Sequence, residues 1–578
     1  MIKTLVKCVR ENKKNAIMTP ILVSLEVVME VFIPLIMAAL IDEGINVNSM
    51  DNIIKYGLLL LLCATLSFCF GAGAGITAAR ASCGFAKNLR ADMFYNIQKF
   101  SFSNIDRFSS ASLITRLTTD VTNVQMAFQM LTRMAFRSPI MLVFALISSF
   151  NISVKLSLVF VAVLPFLGFG LFFLISRVHP IFTRVFKTYD KLNAIVEENI
   201  NGVRVVKSFN REKYEEKKFD EISNEIYKDF SKAEKILAFN HPLMMTSMFV
   251  CMLLISWIGA HLIVNSGGTE LSVGELTSFI SYTMQILMGL MMISVLFVFM
   301  TLSRASAERI CEVLNEKTDL DNPENPIFEV KDGRVEFKDV SFYYGKNPEK
   351  MVLDGINFNI ESGETVGILG TTGSSKSSLI SLIPRLYDTV KGSVSVGGID
   401  VKNYDLKVLR DSVSVVLQKN VLFSGTIKEN LRWGNENATD EEIVEACRLA
   451  QADSFIESFP NKYDTYIEQG GTNVSGGQKQ RLCIARSLLK QPKILILDDS
   501  TSAVDTKTDS MIRAAFKSYI PETTKIIIAQ RVASVMDADK IIILDKGKVL
   551  NSGNHEQLMQ SEPIYREIYE SQMKGVEE

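Results

Sequence analysis

The sequence lacks the residue patterns that build zinc sites, disulfide frameworks and nucleic-acid surfaces. Its eight cysteines are scattered and no two have C-x-x-C spacing, so neither a zinc site nor a disulfide framework is indicated. The formal net charge is only −2 over 578 residues, which excludes a strongly basic nucleic-acid-binding protein. No cleavable signal sequence is evident, because the first apolar run is too long and no small-residue cleavage site follows it.

The composition is unusually apolar for a chain that also has an ordinary content of charged residues. Hydrophobic residues make up 47% of the chain and charged residues 22%, and the mean hydropathy is +0.18. This combination excludes a disordered chain, a collagen-like repeat and a purely soluble enzyme. It indicates an apolar part joined to an ordinary soluble part.

The apolar part is predicted to be an all-α membrane domain with six transmembrane helices over residues 1–310. Six apolar runs are near or above the roughly 18–20 residues needed to cross a bilayer. They lie near 16–41, 56–79, 135–152, 156–176, 241–264 and 277–301. The third run is the least clear, because Arg133, Arg137 and Pro139 stand at its start.

Lysine and arginine predict the orientation in the cell membrane. The N-terminus and the connections between spans two and three and between spans four and five are rich in these residues, whereas the alternate loops are short and poor in them. By the positive-inside rule, both termini and the two long connections are expected to be cytoplasmic.

The pattern changes after Arg309. A linker over 311–332, with acidic residues and prolines, leads to a domain over 333–578 in which short β-rich runs alternate with helical stretches. This pattern predicts an α/β domain with a largely parallel sheet. The expected strands are 335–344, 365–369, 412–417, 494–497, 525–529 and 540–544.

The second expected strand is followed by a phosphate-loop motif. It nearly matches G-x-x-x-x-G-K-[ST], in which backbone N–H groups and a helix N-terminus face an anion. Lys376 would reach the β- and γ-phosphates of a nucleotide, and the Ser377 hydroxyl would ligate Mg²⁺. The motif residues are Gly370, Thr371, Thr372, Gly373, Ser374, Ser375, Lys376, Ser377 and Ser378.

Two further motifs support nucleotide binding. An apolar strand, 494–497, ends in Asp498 and Asp499, and Asp498 is placed to hold Mg²⁺. A second glycine-containing turn opens a helix, where backbone and helix dipole can approach a phosphate. Its residues are Ser475, Gly476, Gly477 and Gln478.

Together these motifs resemble the ATP-binding-cassette (ABC) proteins, and six spans fused to one cassette resemble a half-transporter of the exporter class. The resemblance implies ATP and Mg²⁺ as cofactors, Tyr344 as the aromatic that stacks on adenine, and Gln418 as a Mg²⁺ contact beside Ser377 and Asp498. It further implies a D-loop at Ser502–Asp505, and segments at 108–120 and 201–209 that couple the cassette to the membrane helices.

Three positions depart from the family pattern within the catalytic machinery. Asp499 stands where the family has a catalytic glutamate, and a carboxylate one methylene shorter would lie too far from the attacking water unless the backbone shifts. Gln530 replaces the switch histidine and cannot carry its positive charge. Ser375 replaces a glycine of the phosphate loop. The segment before the signature, 467–470, also differs.

Because the signature Ser475–Gln478 is intact, these departures favour one half of a heterodimeric, multidrug-type exporter of small amphiphilic molecules. The family's cassettes pair head to tail. This chain would therefore contribute a degenerate ATP site, and its signature would complete the site at which the partner hydrolyses ATP. The alternatives are a homodimeric exporter of lipid or peptide, a regulatory ATP-binding membrane module without pumping, and an importer.

Two carboxylates lie inside the first apolar run. Glu26 and Glu30 have the i, i+4 spacing that puts both on one helix face. Such residues are costly in a membrane and usually face a wet cavity or a partner. Either they line the translocation pathway, or one is protonated or paired with a polar group on a neighbouring helix.

Overall fold

The computed structural model describes residues 1–345, 349–371, 373–500 and 504–577. The chain forms two compact units. Unit 1 comprises Met1–Gln98 and Ser110–Glu316, and unit 2 comprises Lys99–Ser109 and the chain from Lys317 onward. The short segment Lys99–Ser109 therefore belongs to unit 2, although the chain on either side of it belongs to unit 1.

Unit 1 is helical. Its helices are α1 (Ile2–Lys7), α2 (Lys13–Ala39), α3 (Met50–Ile97), α5 (Ser110–Thr115), α6 (Val121–Ile152), α7 (Val154–Ser208), α8 (Glu212–Leu237), α9 (Asn240–Ser266) and α10 (Val273–Asn315). The intervening helix α4 (Phe102–Arg107) lies in unit 2. Short π-helical turns, Leu40–Ile45 and Arg116–Asp120, follow α2 and precede α6.

Within the described residues, six helical segments are long and apolar enough to cross a membrane. They are Arg10–Ile45, Met50–Ile97, Ser110–Ile152, Val154–Ser208, Glu212–Ser266 and Val273–Asn315. The predicted six-span, all-α membrane part is confirmed, including its uncertain third span. The 55 residues of α7 give a helix of about 80 Å at about 1.5 Å per residue, far longer than a bilayer core of about 30 Å.

Unit 2 contains a six-stranded sheet in the order β12-β11-β3-β10-β9-β6. Its strands are β3 (Thr365–Leu369), β6 (Val413–Val416), β9 (Ile494–Asp498), β10 (Thr524–Ala529), β11 (Lys540–Asp545) and β12 (Lys548–Gly553). All neighbours pair in parallel except β11 and β12. The predicted α/β fold with a largely parallel sheet is confirmed.

A second sheet, which the sequence patterns did not separate from the first, has four strands in the order β2-β1-β4-β5. These are β1 (Val335–Phe342), β2 (Leu353–Ile360), β4 (Lys391–Val396) and β5 (Ile399–Asp400), and they pair antiparallel. The small strands β7 (Gly425–Thr426) and β8 (Tyr466–Ile467) pair with each other.

The remaining helices of unit 2 are α11 (Lys376–Ser381), α12 (Leu406–Ser412), α13 (Ile427–Leu431), α14 (Asp440–Leu449), α15 (Asp453–Glu457), α16 (Gly476–Leu489), α17 (Thr506–Tyr519), α18 (His555–Ser561) and α19 (Pro563–Glu577). Apolar side chains cover both faces of the large sheet. Along β9, Ile494 and Ile496 join one buried cluster, and Leu495 and Leu497 join the other. Burial on both faces explains why this strand is a continuous apolar run. The carboxyl ends of β3, β10 and β9, which are neighbours in the sheet, carry the motif residues described next.

Candidate nucleotide-binding site

The phosphate loop joins the carboxyl end of β3 to the N-terminus of α11. Gly370 has no space for a side chain, since a Cβ there would lie 2.1 Å from the Leu544 carbonyl oxygen and 2.6 Å from Ser374 Oγ. Gly373 has φ +84° and open space beside it. The loop therefore turns tightly against β11 and leaves its outer side bare, as a cradle for phosphate oxygens requires. Thr371 lies on the exposed side, and its hydroxyl is 3.5 Å from Asp545.

Lys376 folds back over this loop. Its ammonium group donates to the carbonyl oxygens of Gly370 at 2.7 Å and Thr371 at 2.9 Å, and lies 3.2 Å from Ser374 Oγ. Burial lowers the pKa of Lys376, and the carboxylates of Asp498 and Asp499 oppose that shift. The loop therefore holds a half-buried cation where the sequence motif predicts phosphate contact.

Ser375 adopts the left-handed conformation at the start of α11, with φ +73° and ψ +23°. This is the conformation for which glycine is the usual residue, and a residue with a Cβ is strained there by roughly 1–2 kcal/mol. Serine in place of glycine at position 375 therefore leaves the shape of the phosphate loop unchanged but strains its backbone.

Asp498 is buried at the end of β9, with 5% of its surface exposed. Burial raises the pKa of its carboxyl, while a hydrogen bond from the exposed Ser377 and the charge of Lys376 act in the opposite direction. A buried carboxyl beside a hydroxyl fits a Mg²⁺ ion, which in phosphate sites takes one or two carboxylates plus phosphate oxygens and water. Among the described residues no cluster of three or more His, Cys, Asp or Glu forms an all-protein metal site.

Asp499 and Gln530, the two other positions that differ from the family pattern, are in contact. Oδ2 of Asp499 lies 3.3 Å from Gln530 Nε2 and 3.4 Å from Gln418 Nε2, so two side-chain amides hold one carboxylate oxygen. Asp499 itself has φ +47°. Burial raises the pKa of Asp499, and the hydrogen bond from Gln418 and the charges of Lys376 and Arg531 oppose that shift. The structure therefore brings Gln418, Asp499 and Gln530 together.

Tyr344 lies beside the helix that follows the phosphate loop. Its hydroxyl is 2.8 Å from Ser378 Oγ, and its ring packs edge-on against Tyr387 with centroids 5.2 Å apart. Tyr387 in turn contacts Phe102 of α4, at 6.0 Å between centroids, and its hydroxyl donates to Asp106 at 2.7 Å. Neither Tyr387 nor Asp106 was expected from the sequence, because no motif marks either residue.

The first stretch that the resemblance suggested for coupling, 108–120, is divided between the two units. Its first two residues belong to unit 2, with the rest of Lys99–Ser109, and its residues from Ser110 onward belong to unit 1. Ser101 and Asn104 form a capping box that starts α4, and the side-chain amide of Asn104 donates to the Lys317 carbonyl oxygen at 3.1 Å. The second expected segment, 201–209, forms the end of α7 in unit 1.

The signature residues begin α16. Ser475 is its N-cap: its hydroxyl accepts from the Gln478 N–H at 3.3 Å, and its own N–H donates to Gln478 Oε1 at 2.9 Å. This reciprocal pair satisfies two groups at the helix end. Ser475 and Gly476 are exposed and Gly477 is half-buried, so the N-terminus of a 14-residue helix faces outward.

Three residues of the predicted motifs lie outside the part of the chain that the structure describes. Thr372 of the phosphate loop, and Ser502 and Ala503 of the D-loop motif, lie outside the described residues. Asp505 of the same motif caps α17 and accepts from the Thr508 N–H at 2.9 Å.

The chain matches known proteins along almost its whole length. The family model of the ABC transporter transmembrane region matches residues 16–291, and that of the ABC transporter matches residues 353–502. The ABC transporter ATP-binding protein YfiB of Bacillus subtilis is 37% identical over 96% of this chain and 95% of its own length. This chain belongs to the ABC transporter family. An ABC transporter ATP-binding protein of Mycobacterium tuberculosis is 33% identical over 98% of this chain and 97% of its own length.

A solved structure agrees on the fold. A bacterial Atm1-family ABC exporter with ATP bound superposes with a TM-score of 0.83, at 22% identity, over 97% of this chain and 99% of that chain. The chain thus shares the fold of that exporter, and as an ABC transporter it has a six-span membrane part fused to one ABC ATPase domain. It is a multi-pass plasma-membrane protein whose ATP-binding domain is cytoplasmic, and its transport is ATP-driven.

Proposed function

We propose that this ABC exporter chain is one half of a heterodimer that exports small, amphiphilic molecules, and that its own phosphate loop forms the slower of two ATP sites. The observation that carries the proposal is the contact among Asp499, Gln418 and Gln530. The residue in the position of the catalytic base is short, and one of its oxygens faces two amides.

The carboxylate of Asp499 is basic enough to take a proton, but its side chain is too short to come close to the attacking water. Because burial raises the pKa of Asp499, its carboxylate is not a weaker base than an ordinary aspartate. A general base must nevertheless come within about 3 Å of the proton it takes. Gln530 can donate a hydrogen bond to a phosphate oxygen but brings no positive charge.

The residues that bind nucleotide are proposed to act as follows. Tyr344 stacks on adenine. Gly370, Thr371, Thr372, Gly373, Ser374, Ser375, Lys376 and Ser378 surround the phosphates. Ser377, Gln418 and Asp498 hold Mg²⁺, which neutralises phosphate charge.

The signature residues are proposed to serve the other site. Ser475, Gly476, Gly477 and Gln478 present an exposed helix N-terminus, and a partner's ATP would bring phosphate to it. Hydrolysis then occurs mainly at the site that this chain's signature completes. The partner is a second half-transporter with Glu and His at the two catalytic positions.

The proposal is tested by replacing the partner's catalytic glutamate with glutamine in the purified assembly. Nearly all ATP turnover should disappear, because only that site has a base with sufficient reach. The matched control is Asp499→Asn in this chain, which should leave most of the turnover. If substantial activity survives the partner change, or if both changes lower turnover equally, the two sites are equivalent. ATP-dependent accumulation of an amphiphilic dye in inside-out vesicles tests pumping itself, and hydrolysis without accumulation would indicate a regulatory module.

A further inference from the structure

Three charged side chains meet in the membrane part of unit 1. Glu26 is the middle residue of α2, about 20 Å from either helix end at about 1.5 Å per residue. Arg137 lies midway along α6, about 23 Å before Ile152 on the same scale. A hydrocarbon core is about 30 Å thick, so both positions lie within it. Glu30 follows Glu26 by one helical turn.

Arg137 bridges the two carboxylates. Its Nη1 donates to Glu26 Oε1, and its Nη2 lies 2.8 Å and 2.9 Å from the two oxygens of Glu30. Of the alternatives that the sequence left open for these glutamates, pairing with a polar group on a neighbouring helix is the one observed. The arginine that made the third span unclear is their partner.

The cluster has one carboxylate more than it has cations. Two glutamates face one guanidinium, which leaves a formal charge of −1 if both are ionised. Among the described residues, Oε2 of Glu26 is buried with no hydrogen-bond partner. Glu26 as a whole is 7% exposed. A Cβ on Gly71 of α3 would lie 2.9 Å from the other oxygen, so α3 closes the cluster on that side.

The cluster is open on one edge. The side chains of Glu30 and Arg137 are 24% and 31% exposed, whereas that of Glu26 is 9% exposed. Contact of this charged edge with lipid would cost several kcal/mol, so the edge is expected to face water or a polar surface of the second chain. Gln285 of α10 lies beside it and donates to the Glu30 carbonyl oxygen at 3.3 Å.

We propose that this cluster is the charge-selecting part of the substrate site and that it takes the positively charged group of a cationic amphiphile. This inference rests on the proposed export of amphiphilic molecules and adds that these molecules are positively charged. The cation binds Glu30 at the open edge and supplies the positive charge that the cluster lacks.

The unpartnered oxygen gives Arg137 an alternative position. When a cation occupies Glu30, Arg137 turns to Glu26 and donates to both of its oxygens, a two-pronged pairing that suits a guanidinium and a carboxylate. Each carboxylate then has one cation. When the cation leaves, Arg137 returns to Glu30, so that no carboxylate remains without a partner.

The test is a binding measurement without ATP, on the complete assembly in lipid nanodiscs, with empty discs as background. Tetraphenylphosphonium is a permanent cation, and tetraphenylborate is an anion of the same shape. The unmodified protein should bind the cation saturably and at least about tenfold more tightly than the anion. The cation should also shield Glu26 and Glu30 from a hydrophobic carbodiimide, as read by mass spectrometry. Equal affinities for the two probes, or no shielding, would overturn the proposal.

Variants separate a binding role from a structural one. Glu30→Gln should weaken cation binding about tenfold or more, and so should Glu26→Gln, because Arg137 then stays on Glu30. Glu26→Gln combined with Arg137→Gln restores one uncompensated carboxylate, and affinity should return to within about threefold of the unmodified protein. A merely structural cluster would instead lose as much in the double variant.

Glu270→Gln is the matched control, because Glu270 pairs with Lys155 at 2.8 Å on the exposed surface of the same unit. It should leave cation affinity unchanged, and an equal loss there would contradict the proposal. Because the binding measurement contains no ATP, it tests charge-selective binding independently of transport. Vesicle transport that fails while charge-selective binding persists would count against the proposed function and not against this site.

Discussion

Restoring the catalytic pair of this chain should accelerate its own ATP site. The perturbation is Asp499→Glu together with Gln530→His. The added methylene extends the carboxylate by about 1.5 Å. The histidine removes one of the two amides that face Asp499 Oδ2, at 3.3 Å in the present chain. Both changes act on one contact, so they are expected to work together and not additively.

The size of the effect follows from the distance. A misplacement of about 1 Å can cost about 10²-fold in rate, and a positioned general base contributes about 10²- to 10⁴-fold. We therefore expect turnover at this site to rise about 10²-fold, which corresponds to about 2.7 kcal/mol in the activation barrier. The strain at Ser375 remains in this variant, so nucleotide occupancy should be unchanged.

The assay is ATPase activity of the proposed heterodimer with the partner's catalytic glutamate already replaced by glutamine, so that the site of this chain is measured alone. Asp545→Glu is the matched control, because it lengthens an aspartate beside the same loop, 3.5 Å from the Thr371 hydroxyl, without touching the base position. If the double variant were no faster than that control, reach at Asp499 would not be the limiting feature and the reasoning would fail.

Three further outcomes are expected. Ser375→Gly should relieve the strain of its φ of +73°, worth roughly 1 kcal/mol, and raise nucleotide occupancy up to about fivefold in a filter-binding assay; lower occupancy would contradict this. Tyr387→Phe removes the bond to Asp106 at 2.7 Å. Because Asp106 lies in the segment of unit 2 that interrupts unit 1 along the chain, this change should lower transport per ATP hydrolysed, and an unchanged ratio would contradict the expectation. Ser475→Arg should abolish hydrolysis at the partner's site, whereas Lys376→Ala should mainly lower bound nucleotide, by about 10- to 150-fold. Equal and complete loss of ATPase in both would favour two equivalent sites.

The strands and membrane helices could be predicted because their signals are local. β3 begins and ends at the predicted residues, and β9 extends one residue beyond its prediction. Of the antiparallel sheet only β1 was predicted; β2, β4 and β5 were not, and a short β-rich run does not show which strands it will pair with. The motifs that propose Lys376 and Asp498 are also local: the phosphate loop joins β3 to α11, and Asp498 is the last residue of β9.

Contacts between side chains far apart in sequence could not be predicted. Arg137 is 111 residues from Glu26, and Tyr387 is 281 residues from Asp106. The sequence carried a partial indication of the contact between Arg137 and Glu26. Arg137, Glu26 and Glu30 interrupt apolar runs, and a charged side chain in a membrane requires a partner of opposite charge or water. The sequence carried no such indication for Tyr387 and Asp106, because a tyrosine and an aspartate on cytoplasmic segments are unremarkable.

The three departures from the family pattern occupy one place in the fold. Ser375 follows β3, Gln530 follows β10 and Asp499 follows β9, and these three strands are adjacent in the sheet. Ser475, in contrast, stands at the N-terminus of α16, before β9 along the chain, and keeps both hydrogen bonds of its capping box. The well-formed signature thus lies on a different element from the three non-consensus residues. The proposed heterodimer predicts this separation, because the sheet edge would serve the ATP site of this chain and the signature would serve that of the partner.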